Sequence, residues 1–179
     1  MSGLALTLRA DRIGHEPKHL ELVSGAEERA ALIERFDLID LPALAASLVV
    51  RKRTDTGWIT VTGSVRATVV QTCIVTLEPV EAVLETELEE LFDAAAEPDM
   101  VEIDIDPLAD VPEPLVDGRL DLGELVAQAF GLALDPYPRA SGAAWPETVS
   151  DPTDAPVDRT IEASPFGKLA GFAPGAKNR

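Results

Sequence analysis

The stretch WITVTGSVRATVVQTCIVTL, residues 58–77, constrains the fold more than any other part of the chain. Ile59, Val61, Val65, Ala67 and Val69 fall on one face. Thr60, Thr62, Ser64, Arg66 and Thr68 fall on the other. A period of two is the strand period, in which alternate side chains point to opposite sides of a sheet. A run this long must curl or break. Gly63 predicts a bulge or sharp bend, because an isolated glycine removes side-chain packing inside a strand, and Gln71 marks a possible end. Upstream, Leu44, Ala46, Leu48 and Val50 alternate as far as Arg51, Lys52 and Arg53, and Asp55-Thr56-Gly57 follows. Two alternating runs around a short turn containing glycine predict a hairpin.

Other segments fit around that hairpin. Leu4, Leu6 and Leu8 alternate, a short strand signal. Ser24 and Glu27 stand as Ser-x-x-Glu before AEERAALIERF, a capping-box pattern that predicts a helix over 25–36. Pro42 prevents that helix from continuing. The segment 82–92 fits both a helix and a strand; the alternation of Ala82, Leu84, Thr86, Leu88 and Phe92 favours a strand. Residues 100–105 read as a short extended piece. Asp121 and Glu124 repeat the capping pattern before an apolar stripe of Leu125, Val126, Ala129, Leu132 and Ala133, which predicts a helix over 122–134 ended by Pro136 and Pro138. The expected fold is therefore α+β. A curved antiparallel sheet from 3–10, 43–54, 57–77 and 80–92 packs against two or three helices. One domain over 1–139 precedes a mobile Pro/Gly/Ala-rich tail over 140–179, whose apolar segment 164–172 could dock.

The charge is concentrated. Residues 78–124 hold seventeen acidic side chains and one basic one, so this segment carries −16 of the net −17. A focused field of one sign steers partners of the other sign, and a basic partner is the natural complement. Glu85, Glu87, Glu89 and Glu90 are the candidate docking residues. Broad contact with nucleic-acid backbone is disfavoured, because such binding rests on Lys and Arg releasing counterions, and DNA is not an expected partner. No apolar run approaches the roughly 18 residues of a membrane span, and the first residues lack a secretory pattern. A single cysteine, Cys73, rules out an internal disulfide. These features fit the cytoplasm.

Little in the sequence carries chemistry. His15 and His19 are spaced for one helix face, but Pro17 lies between them and no further ligand completes a metal site. Asp104, Asp106 and Asp110 cluster, yet Leu108 and Ala109 break the calcium-loop pattern. Cys73 reads as a small buried strand residue, with no lysine or histidine near it in sequence to activate it. Arg51, Lys52, Arg53 and Arg66, with Trp58, could form a small RNA-contact patch, though a solvated hairpin end is the more ordinary reading. Nucleophile elbows, phosphate loops and dinucleotide fingerprints are missing. The expectation is a non-enzymatic protein without cofactors.

Two blocks carry a resemblance. VTGSVRATVVQTCIVTLEPV and DLGELVAQAFGLALDPYPR resemble the YceD-like family, the large ribosomal RNA subunit accumulation proteins, in its alphaproteobacterial form. Gly63, Ala67, Gln71 and Cys73 match the first motif. Leu132, Leu134, Asp135, Pro136, Tyr137, Pro138 and Arg139 match the second, and SPFGKLAGF is similar to that form's end. The resemblance implies a ribosome-biogenesis factor supporting 23S ribosomal RNA, whose partner is a basic ribosomal protein or a large-subunit precursor. Tyr137 and Arg139 then join the partner-binding candidates. Other branches carry a CxxC pair in the first block and further cysteines after the second, which implies zinc. Here Thr76 stands in place of the second cysteine and the later ones are missing, so four thiolates cannot be assembled. The alternatives are a general acidic chaperone, a nucleic-acid mimic or a small hydrolase.

Overall fold

The computed structural model describes residues 3–95 and 111–144. Its main sheet has five strands in the order β2-β3-β4-β5-β6. These are β2 (Lys18–Val23), β3 (Asp40–Lys52), β4 (Ile59–Thr72), β5 (Pro79–Asp93) and β6 (Glu113–Pro114). Neighbours are antiparallel except β6, which runs parallel to the end of β5. A second, two-stranded sheet pairs β1 (Thr7–Arg9) with β7 (Arg119–Asp121). Two helices, α1 (Ala26–Phe36) and α2 (Leu122–Ala133), complete the described fold. The sheet is open, and the α+β class expected from periodicity holds.

The long alternating run forms as its pattern dictates. Ile59, Val61, Val65, Ala67 and Val69 are all buried. They meet Leu44, Ala46, Leu48 and Val50 of β3, Leu22 of β2, and Leu122, Val126 and Phe130 of α2 in one core. Helix α1 adds Leu32, and its Phe36 stands edge-on to Phe130 with ring centroids 5.5 Å apart. The segment at 82–92 is a strand, paired with β4 without a break.

Four expectations need correction. The N-terminal strand is not part of the main sheet; it is only three residues long and pairs with β7. An unanticipated strand, β2, takes the sheet edge instead. Its alternation was hidden by its polar outward side chains, His19 and Glu21, while Leu20 and Leu22 pack inward. Gly63 makes no bulge in β4: the strand is in register with both neighbours around it. The only register shift between β3 and β4 lies between Asp40 and Ala43. Gly63 is required for close approach instead: a Cβ there would lie 2.9 Å from the Leu48 Cα and closer still to the Ser47 carbonyl. Finally, Ser24 does not cap α1. Its hydroxyl donates to Leu44 O, Gly25 is the N-cap, and the Glu28 carboxylate reaches back to accept from Gly25 N at 2.6 Å. That bond is the main reason the Glu28 pKa is lowered.

Helix α2 starts as expected. The Asp121 carboxylate accepts from the Gly123 and Glu124 amides at 3.0 and 3.1 Å, satisfying two otherwise unpaired donors. Arg35 of α1 donates through two nitrogens to Glu124 at 2.7 and 2.8 Å, tying the helices together at their surface. The expected strand at 100–105, the Asp104 cluster and the docking segment at 164–172 lie outside the described residues.

Candidate functional site

The two motif blocks meet at one end of the sheet. Strand β4 ends at Thr72, and residues 73–78 turn into β5. The turn closes through Cys73 N to Glu78 O at 2.8 Å and Leu77 N to Cys73 O at 3.0 Å, with Leu77 in the left-handed region (φ 62°). The loop after α2 lies against it. Gln71 Nε2 donates to Asp135 O at 3.0 Å, and Ile74 N donates to Pro138 O at 2.9 Å. Asp135 shapes the loop locally, its carboxylate accepting from Tyr137 N at 2.8 Å. Pro138 is buried, whereas Asp135, Pro136, Tyr137 and Arg139 are exposed.

Cys73 sits at the centre of this clasp, fully buried. Its sulfur accepts from Val75 N and Thr76 N at 3.4 Å and from Ala140 N at 3.3 Å. The Thr76 side chain is the largest cause of a thiol pKa lowered to about 6, followed by the Ala140 amide. Donors to sulfur favour the thiolate, which is how a pKa falls without a nearby cation. Sequence reasoning looked for lysine or histidine and missed this arrangement, because its donors are an uncharged hydroxyl and backbone amides, one of them 67 residues away. Thr76 brings its amide and hydroxyl to the sulfur where a second thiolate would stand in a CxxC pair. The residues around Cys73 therefore do not fit zinc. Among the described residues no three His, Cys, Asp or Glu side chains converge as metal ligands. His15 is engaged elsewhere, its Nδ1 3.0 Å from Lys52 O.

The acidic candidates divide between two faces of β5. Glu81, Glu85, Glu87 and Glu89 are exposed and share a face with Val83. That row extends for roughly 27 Å at a strand rise of 3.4 Å per residue. Glu90 lies on the opposite face with Leu88 and Phe92. Burial first, and Glu113 second, raise its carboxyl pKa. The edge of β5 over 79–91 has no strand partner among the described residues. The basic candidates are also dispersed. Arg66 sits across the ladder from Glu85, Arg51 pairs in register with Thr60, and Arg53 is held by Asp55 at 2.8 Å. Arg51 and Arg53 line one pocket together with Glu89 and Glu90, while Arg66 lies farther along β4.

A family model described as large ribosomal RNA subunit accumulation protein YceD matches residues 61–173. The match begins within β4 and includes β5, α2 and both halves of the clasp. No curated protein and no solved structure matches. Among the described residues, no helix is long and apolar enough to cross a membrane.

Proposed function

The chain belongs to the YceD family of large ribosomal RNA subunit accumulation proteins, and on that premise we propose that it supports 23S ribosomal RNA accumulation in the cytoplasm without catalysing a reaction, by docking a basic ribosomal protein or large-subunit assembly intermediate on β5. The observation that carries this reading is the row of four carboxylates beside a strand edge that has no strand partner among the described residues. An added strand can take main-chain hydrogen bonds from such an edge, and its alternate side chains then meet the row. Lys or Arg at every second position would face Glu81, Glu85, Glu87 and Glu89. The non-catalytic part of the reading is supported by Cys73: its sulfur is enclosed, and its neighbours among the described residues are amides and the Thr76 hydroxyl rather than a base.

The test is affinity capture from lysate with the full chain and with a variant carrying Gln at positions 81, 85, 87 and 89. Large-subunit ribosomal proteins or precursor particles are expected to be enriched over other basic proteins, and to be lost with the variant. Capture should also weaken steeply with salt, since the Debye length falls from roughly 30 Å at 0.01 M to 10 Å at 0.1 M. Equal recovery of all basic proteins would favour a general acidic chaperone. Unchanged capture by the variant would move the search to Tyr137 and Arg139, the exposed side chains of the clasp.

A further inference from the structure

The chain's net charge hides a cationic cleft at the sheet edge farthest from β5. It encloses about 380 Å³ between β1, the turn after it, and the start of β2. Leu8, Ile13 and Val50 form an apolar wall. Arg9, Arg12 and Lys18 line the same cleft. The Arg12 and Lys18 side chains make no hydrogen bond or ion pair among the described residues, and Arg12 acts on Asp11 only through space. Arg9 donates to both Asp11 carboxylate oxygens at 3.0 Å, and because both side chains are more than half exposed a bound phosphate would compete with Asp11 for the guanidinium. Arg9 also stands directly across the β1–β7 ladder from Arg119. Like charges in that position repel, and a bound anion would relieve the repulsion.

Glu16 is the one carboxylate lining the cleft among the described residues. Among three cations it would repel a free oxyanion, but it suits a ligand that brings both phosphate and hydroxyl groups. A carboxylate accepts readily from a ribose 2′-hydroxyl, the group that separates RNA from DNA. The β5 carboxylates do not neutralise this site. Three interstrand spacings, roughly 14 Å, separate β2 from β5. That exceeds the Debye length of about 8 Å at physiological salt.

We propose that this cleft binds the ribose–phosphate backbone of single-stranded RNA. Arg9, Arg12 and Lys18 take phosphates, Glu16 takes a 2′-hydroxyl, and the apolar wall receives the sugar or base. The chain would then touch RNA locally even though its overall charge opposes broad contact. The cleft does not depend on the β5 docking surface.

The test is fluorescence anisotropy of the full chain with a labelled ten-nucleotide single-stranded RNA, and with DNA of the same sequence. Three phosphate contacts on a single strand give a slope of log affinity against log salt of about −2. Binding should therefore weaken about fifteenfold between 50 and 200 mM salt. The double variant Arg12→Glu, Lys18→Glu should lose at least tenfold in RNA affinity. The milder Arg12→Gln, Lys18→Gln pair gives the same direction should the reversal disturb folding by circular dichroism. Glu16→Gln should reduce the RNA-over-DNA preference severalfold, because removing the charge raises DNA affinity while the 2′-hydroxyl contact to RNA weakens. The Gln variant of positions 81, 85, 87 and 89 should retain or gain RNA affinity even where it loses its protein partner, which separates the two proposals. No RNA binding at 50 mM salt, no effect of either pair, or complete displacement of RNA by millimolar inorganic phosphate would overturn the assignment.

Discussion

The Ala140 amide donates to the Cys73 sulfur at 3.3 Å, joining residues 67 apart in sequence. Through this bond the β4–β5 turn holds the loop that presents Tyr137 and Arg139.

The thiol predicts a pH dependence of stability. Its folded pKa of about 6 lies below the ordinary value of 9.0. Between those values the unfolded chain binds the proton and the folded chain does not, so stability rises with pH from about 6 to 9 and the thiolate's contribution is lost as pH falls through 6. Urea midpoints of the wild type should climb across that window. Cys73→Ala should show a flatter profile and a melting temperature lower by roughly 2–8 °C at pH 8, and should still complement a deletion strain. Parallel wild-type and variant profiles would refute the thiolate. Loss of complementation in a folded variant would give the sulfur a functional part.

Glu90 predicts the opposite sign. Burial and Glu113 raise its folded pKa, so its contribution is present below the unfolded pKa and is lost as pH rises through the folded one. Glu90→Gln should raise the urea midpoint at pH 7, with the gain fading near pH 4. Partner capture should be unaffected, because Glu90 does not belong to the outward row. A lower midpoint at pH 7 would show that the carboxylate is satisfied as it stands.

Gly63→Ala tests close approach against flexibility. The new methyl meets Ser47 and Leu48 backbone in the middle of a five-stranded sheet, where neither neighbour can withdraw cheaply. The expected loss is about 1–3 kcal/mol, as for overpacking, read from denaturant midpoints. A neutral result would show that β3 and β4 can separate locally.

Asp121→Ala should cost about 1 kcal/mol, the usual loss for a helix N-cap, since two α2 amides lose their acceptor. Arg35→Ala should cost less, because the Arg35–Glu124 pair is close to half exposed and surface pairs contribute little. Chemical denaturation of both variants gives the order. The reverse order would mean that the helix–helix tie matters more than the cap.

The parts of the fold legible in the sequence were those where burial repeats along the chain. The inward face of β4 and the stripe and cap of α2 follow from hydrophobic period and from Asp121. Strand β2 was illegible because an edge strand with one wet face needs few apolar residues, and Leu20 and Leu22 alone are a weak pattern. The pairing of β1 with β7 depends on chain-distant backbone geometry, which no local pattern encodes. The candidate site divides in the same way. Excess charge on β5 could be counted, but its distribution over two faces, with Glu90 turned inward, followed only from register. The donors around Cys73 are the Thr76 hydroxyl and main-chain groups from both sides of a 67-residue separation.

The short ladder between β1 and β7 also bears on the order of folding. It joins positions more than a hundred residues apart with only three residue pairs, whereas β3, β4 and β5 form successive hairpins. Loop-closure entropy must be met before a distant pairing stabilises anything. The meander can form first, and the N-terminal strand can close onto it only once β7 is in place. The wall of the cationic cleft is thus a late-formed surface, and a chain still missing its β7 half would present only scattered cations there. Pulse-labelling hydrogen exchange should show amides at Val61 and Val65 protected before those at Leu8 and Leu120.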